Sequence, residues 1–354
     1  MDTVVDIDGS VGEGGGQVVR TALALSVLTG KPTRIGEIRA GRSKPGLAPQ
    51  HLTVVRALAE VCGASVEGAR IGSTEVRFEP ASPARPGDYV FDVSEAAKGG
   101  SAGSVTLVLQ ALLLPLALSG ATSHLTLKGG THVSWSPPFE FITEAYLPVL
   151  GPMGLSASCR LVAWGFYPVG GGRIAVEIRP AAGFAPLELT DRGELKRIRG
   201  RAVACNLPSH IPVRMVNRAR NLLADLDAPL RLEPERVRGK GPGAAFFLAA
   251  EYEGVVAGFS ALGARGKPAP DVAEEACAAL SDHDENGAPV TPHLADQILL
   301  PASLAKGRTV FRTSRITRHL LTNADIIREF LPAHIDVVGS EGSPGEVSID
   351  GAGS

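Results

Sequence analysis

Apolar positions along this chain recur in one repeated succession, a helical stretch, a strand, a second helix and then a pair of strands. The spacing predicts a helix over Val18–Leu28, a strand over Thr33–Ile38, a helix over Gln50–Val61, and short strands over Ala64–Glu67 and Thr74–Phe78. Gly63 ends the second helix, because a glycine after the last turn accepts the left-handed backbone that closes it. The succession returns as Ser104–Leu118, His124–Lys128, Pro138–Leu150, Ser156–Ala163 and Arg173–Ile178, with Gly170-Gly171-Gly172 as a turn. It returns once more as His293–Leu304, Thr309–Thr313, Asn323–Phe330, Ile335–Val338 and Glu346–Ile349.

Between the second and third successions the pattern changes. Strands are predicted near Arg199–Cys205, Leu230–Leu232, Ala244–Tyr252 and Val255–Ala261, with helices at Pro212–Leu226 and Pro270–Leu280. The reading is an α/β (α+β) chain with a large domain of three βα repeats and a smaller inserted α+β domain. Repeats one and two occupy 1–186, the insert 187–286, repeat three 287–339, and a C-terminal strand with a loose tail 340–354.

Composition narrows the function classes. A formal net charge of −2 excludes a globally basic nucleic-acid binder, so any RNA contact rests on a local cluster of cations. Four cysteines, far apart and without CxxC spacing, fit buried thiols in a reducing cytoplasm rather than zinc ligands or a disulfide framework. The acidic start MDTVVDIDGS does not read as a secretory signal. The most apolar run, Val105–Leu118, is interrupted by Gln110 and Pro115 and is too short to span a bilayer, so a buried helix and no membrane partner are expected.

Four stretches carry candidate chemistry. Asp8-Gly9-Ser10-Val11-Gly12-Glu13-Gly14-Gly15-Gly16-Gln17 lies between a strand and an apolar helix bearing Arg20. Its glycines serve either a turn or a close backbone approach to phosphate, and Glu13 among them suits a divalent cation beside phosphates. It is neither a Walker A loop nor the dinucleotide fingerprint. Arg39, Arg42, Lys44, Gln50 and His51 form either a phosphate or RNA-backbone clamp or a solvated basic loop. Gln110 inside an apolar helix requires a partner, a neighbouring backbone group or a ligand, and His132 reads as a loop histidine without a role. His319 lies just before a helix whose positive end would favour phosphate and keep the imidazole neutral, hence nucleophilic; the alternative is a cap or a satisfied core histidine.

GEGGGQ, RAGRSKPGL, a Gln-bearing TLVLQ helix, HLADQ and HLLTN, in this order and spacing, resemble the RNA 3'-terminal phosphate cyclase family from about Val5 to Ile349. The resemblance implies a large domain related to the enolpyruvyl transferases, and an enzyme that uses ATP with Mg²⁺ or Mn²⁺ to turn an RNA 3'-phosphate into a 2',3'-cyclic phosphodiester. It implies that His319 becomes adenylylated and that the AMP passes to the RNA 3'-phosphate, after which the vicinal 2'-OH displaces it. By the same match Glu13 is the expected metal ligand. Gln110 with His293, Leu294, Ala295, Asp296 and Gln297 is expected to line the adenosine pocket, and Arg20, Arg39, Arg42, Gln50 and His51 to surround the ATP phosphates and the RNA end. In one departure His132 stands where the family commonly carries an acid or amide, which leaves that position outside the expected site.

The competing reading is a cyclase-like protein that assists ribosomal RNA processing without catalysis; it would lack the nucleophile, whereas His319 and Glu13 are both present. An enolpyruvyl-transferase-like enzyme would leave HLLTN and HLADQ unexplained, and fold analogy alone does not assign function.

Overall fold

The computed structural model describes residues 4–96 and 102–353. The first apolar succession forms β1 (Val5–Asp8), α1 (Gly16–Thr29), β2 (Thr33–Gly36), α2 (Pro49–Cys62), β3 (Ser65–Glu67) and β4 (Val76–Glu79). The second forms β5 (Asp88–Asp92), α3 (Val105–Ala117) and β6 (Ser123–Gly129). Its second helix begins as α4 (Phe139–Phe141), widens through a π turn at Ile142–Tyr146 and closes as α5 (Leu147–Leu150), before β7 (Ala157–Ala163) and β8 (Gly172–Ile178). There follow β9 (Glu188–Leu189), β10 (Leu195–Cys205), α6 (His210–Leu222), β11 (Leu230–Val237), β12 (Gly243–Tyr252), β13 (Val256–Leu262) and α7 (Ala269–Asn286). The chain ends with α8 (Pro292–Ser303), β14 (Arg308–Thr313), α9 (Arg318–Phe330), β15 (His334–Val338) and β16 (Gly345–Asp350).

Three sheets share one strand order, β1-β2-β4-β3, β5-β6-β8-β7 and β9-β14-β16-β15. In each, the first pair is parallel and the other two pairs are antiparallel. A fourth sheet runs β11-β10-β12-β13. Glu188 and Leu189, which the sequence assigns to the inserted stretch 187–286, pair with Val310 and Phe311 and so belong to the third sheet. A two-residue strand has too little alternation to register in the pattern.

The helices lie on the inner side of the three like sheets. α1 packs on α2, α3 and α9, and α8 packs on α9. Val18, Val19, Leu23 and Leu25 of α1 and most of α3 are buried, each large side chain contributing about 1.5–3 kcal/mol of transfer free energy. Such helices are apolar on every face because neighbours surround them. No described helix is long and apolar enough to cross a membrane.

Two expectations need correction. α9 starts at Arg318 rather than Asn323, because the Thr317 hydroxyl accepts the Leu320 N–H at 3.1 Å and caps the helix there. The tail is tied rather than loose: the amides of Gly351, Ala352 and Gly353 donate to the carbonyls of Gly307, Ser303 and Ala305. Ser354, like Met1–Thr3 at the other end, lies outside the described residues.

His283 at the end of α7 is 2% exposed, and its Nε2 has no partner. Burial foremost, with Arg192 adding and Asp284 opposing, lowers its pKa to about 4. The unfolded chain therefore takes a proton near pH 6.5 that the folded chain refuses until about pH 4, so stability falls as pH drops through that window. His283→Leu is expected to remove a slope of up to about 1.4 kcal/mol per pH unit, read from denaturation midpoints across the window; an unaltered slope would contradict the assignment.

Candidate active site

The loops after β1, β2 and β14 and the start of α8 bring four helix N-termini together. Helix N-termini carry unpaired N–H groups and partial positive charge, so their convergence makes an anion site before any side chain is counted. Gly15 caps α1 without a side-chain bond, and Pro49 and Pro292 occupy first-turn positions of α2 and α8.

A hydrogen-bonded line crosses this convergence. Gln17, on the first turn of α1, donates its Nε2 to Asp296 Oδ2 at 2.9 Å and faces His319 Nδ1 with its Oε1 at 2.6 Å. Because the amide nitrogen is committed to a carboxylate, the oxygen is left to accept, and Nδ1 must carry the proton. His319 Nε2 is then a bare lone pair, 3.9 Å from Glu13 Oε1. Its side chain is half exposed. Burial, reinforced by Arg20 and Arg42 and opposed by Glu13, holds the imidazole below the ordinary histidine pKa. The ring is thus biased toward its neutral form, with Nε2 facing solvent. The helix start expected after His319 lies before it, so the ring sits in the first turn of α9.

Glu13 is held at its backbone and at one carboxylate oxygen, and the other oxygen is left over. Its backbone N–H donates to Thr322 Oγ1 at 3.0 Å, Arg42 pairs with Oε1, and Oε2 is buried with no partner. An orphaned carboxylate oxygen at an anion site fits one bond to a small divalent cation whose other ligands are phosphate oxygens and water. Among the described residues there is no cluster of three or more His, Cys, Asp or Glu that could hold a metal ion.

The expected cations surround this pair unequally. Arg20 lies near Asp296 and Glu13, and burial, though offset by both carboxylates, lowers its pKa to about 10. Arg39 adopts a positive φ of 55° and donates to the Gly46 carbonyl at 2.8 Å; burial and Arg42 lower its pKa. Asp296 is pushed up to about 7 by burial, against the pull of Gln17 and Arg20.

His51 is 3% exposed and its Nδ1 accepts the Ala48 N–H, so it stands beneath the loop rather than on its surface. Burial, then Arg20 and Arg39, lowers its pKa to about 3, leaving it neutral. Gln50 Oε1 accepts the Ser104 N–H at 3.1 Å, and Gln110 Nε2 finds its partner in Gln297 Oε1. Leu294 and Ala295 point into the core, 1% and 0% exposed, so only their backbone can face a ligand, whereas His293 is exposed at the start of α8. His132 is not a loose loop residue: it is buried, bonds Glu140 and Thr131 at 2.7 and 2.8 Å, and stacks on Trp164 and Phe166.

Gln17, Thr21, Thr322 and Asn323 were not singled out from sequence. Asn323 joins three helices, accepting from Thr21 Oγ1 at 2.7 Å and donating to the Asp296 carbonyl at 2.6 Å. The available signal was the one applied to Gln110, a polar side chain within an apolar helix that must find a partner.

An imidazole, a carboxylate and three guanidinium groups at converging helix ends constitute a site suited to phosphate chemistry. A sequence profile for the family described as RNA 3'-terminal phosphate cyclase matches residues 11–337. The RNA 3'-terminal phosphate cyclase of Trichormus variabilis is 50% identical over 327 residues, covering 92% of this chain and 94% of its own. That of Methylococcus capsulatus is 50% identical over 352 residues, covering 99% and 97%, and that of Desulfurococcus amylolyticus 41% identical over 360 residues, covering 99% of each. The chain belongs to the RNA 3'-terminal phosphate cyclase family. Among solved structures, the enolpyruvyl transferase NikO from Streptomyces tendae matches half of this chain at 20% identity and a TM-score of 0.28; this chain spans 33% of that one.

A Cβ built on Gly16 would stand 2.0 Å from His51 Nε2. Gly16→Ala is therefore expected to displace His51 and cost about 1–3 kcal/mol in urea denaturation, as overpacking does; an unchanged midpoint would show that the contact is slack.

Proposed function

We propose that this enzyme uses ATP to convert an RNA 3'-phosphate into a 2',3'-cyclic phosphodiester through an AMP adduct on His319. The observation that carries the reading is the His319 ring, held at Nδ1 by Gln17 and free at Nε2, beside Glu13 and Arg42. Nε2 attacks the α-phosphorus of ATP, forming a P–N bond as the bond to the bridging oxygen breaks and pyrophosphate leaves. The ring carries positive charge in the adduct, and Gln17 Oε1, accepting from Nδ1–H, stabilises that state. An oxygen of the RNA 3'-phosphate then attacks the same phosphorus, restoring neutral His319 and giving RNA(3')pp(5')A. The 2'-hydroxyl finally attacks the 3'-phosphorus, losing its proton as AMP departs and the ring closes.

Arg20, Arg39 and Arg42 hold the phosphates and neutralise the charge that accumulates on the leaving groups. Glu13 Oε2 fits Mg²⁺ or Mn²⁺, which when bound supplies further neutralisation of the leaving pyrophosphate. Gln110, Gln297, Asp296 and His293 border the adenosine pocket, with the backbone of Leu294 and Ala295 behind them. Gln50 and His51 shape the loop floor and reach phosphate only indirectly. The three sheets of like order form one body related to the enolpyruvyl transferases, with the stretch between β9 and α8 inserted into it. Four free thiols suit the cytoplasm.

His319→Ala is expected to abolish labelling of the protein by α-phosphate-labelled ATP while leaving the melting temperature unchanged; a labelled variant would move the nucleophile elsewhere. Gln17→Leu, which keeps the nucleophile but frees its ring, is expected to slow labelling by about 10²-fold, the scale of a misplaced reacting group. A rate within twofold of the unsubstituted chain would deny Gln17 a positioning role. Chelation of divalent cations is expected to stop labelling, and full labelling in chelator would remove the metal from Glu13.

A further inference from the structure

The second sheet turns to solvent a face whose paired cations lack carboxylate partners among the described residues. β6 and β8 are antiparallel, and Lys128 stands directly opposite Arg173. Leu125, Leu127, Ile174 and Val176 point into the core, so by alternation Lys128 and Arg173 point outward together. Like charges placed opposite each other destabilise a sheet. Arg34 likewise stands opposite Arg77 across β2 and β4, but both pair with Glu75, as Arg197 and Arg199 pair with Glu251 and Arg201 with Glu235. Lys128 and Arg173 have no carboxylate partner among the described residues. Asp92, level with Lys128 on β5, has Oδ1 taken up by the backbone and hydroxyl of Ser94.

A third cation joins them from the far side. Lys240, in the turn between β11 and β12, lays its stem across Gly171, where an added Cβ would stand 2.5 Å from Lys240 Cδ. That turn is held against the second sheet by a bridge between Trp164 and Gly239. Lys128, Arg173 and Lys240 thus line one groove of about 670 Å³, with Asp92 and Val169. Tyr167, 74% exposed, immediately precedes Pro168 and Val169 on its wall. One end of the groove adjoins the candidate active site: Gly129 lines it, Gly130 bridges to Ser104, and the Ser104 N–H donates to Gln50 at the start of α2.

We propose that this groove seats the single-stranded RNA immediately 5' of the terminal phosphate, its backbone neutralised by Lys128, Arg173 and Lys240 and a base resting on Tyr167. The inference rests on the reaction proposed above, which puts an RNA 3' end at His319. A cation-lined groove with an exposed aromatic ring is the arrangement that binds single strands without reading sequence. The uncompensated pair across β6 and β8 is explained as stability given up for a polyanion.

The test is fluorescence anisotropy of the full chain with a labelled, 3'-phosphorylated single strand of about a dozen nucleotides, a length within the usual range of such sites. The variants are Lys128→Gln, Arg173→Gln and Lys240→Gln, singly and combined. Each is expected to weaken binding about fivefold at 0.1 M salt and to lower the slope of log K against log salt by about 0.7, reaching about 2 in the triple variant. Lys128→Gln is also expected to raise the melting temperature, because it relieves the like-charge pair. Labelling by ATP, a step that needs no RNA, stays unchanged. Unaltered RNA binding and salt slope in a triple variant that melts no lower than the unsubstituted chain would overturn the groove, as would an equal loss for duplex RNA. If the unsubstituted chain takes no label from ATP, the reaction falls, while the binding curves still decide the groove.

Discussion

The hydrogen bond from His319 Nδ1 to Gln17 Oε1 is the contact on which the account of this protein depends. It works only because Gln17 is itself committed, through its nitrogen, to Asp296, and because Asn323 fixes the Asp296 backbone from a third helix. Three helices from distant parts of the chain, α1, α8 and α9, therefore agree on the position of one imidazole nitrogen. The three like sheets wrapped around apolar helices hold those helices rigidly enough for that agreement to be reproducible. A site carried by elements packed on all sides keeps its geometry better than one carried by loops alone.

The charges of the site share one direction of imbalance. Burial lowers the pKa of Arg20, Arg39, His51 and His319, and mutual repulsion among the cations adds to it at Arg39, His51 and His319. Glu13 and Asp296 are the carboxylates set among them, and one oxygen of Glu13 is engaged by Arg42. A cluster of this kind is costly when alone and becomes favourable when phosphate arrives, so the free energy of binding is directed to the reacting groups. The field that attracts the anion, together with burial, also holds His319 below the ordinary histidine pKa, a combination the proposed adduct requires.

Much of this organisation is legible in the sequence, for stated reasons. α2 and α3 are readable to within about one residue because their apolar periodicity, and Gly63 at the end of α2, are local signals. Glu13, Arg42 and His319 stand out as charged or nucleophilic residues in glycine-rich or helix-start settings, and the structure brings all three together. Gln17 did not stand out, although it lies inside the most conspicuous motif, because a neutral amide announces no chemistry until its partners are known. His132 reads as a loop residue because its burial partner, Glu140, lies eight residues further on, in the first turn of α4 beyond Ser136-Pro137-Pro138. β9 escaped because a two-residue strand is defined by its neighbour, β14, more than a hundred residues later.

The most direct test of the central claim is the ¹⁵N spectrum of His319 in histidine-labelled protein before and after ATP is added. The account predicts a protonated Nδ1 and a bare Nε2 at neutral pH, with AMP attached at Nε2 afterwards. A proton on Nε2 in the free protein, or attachment through Nδ1, would contradict it.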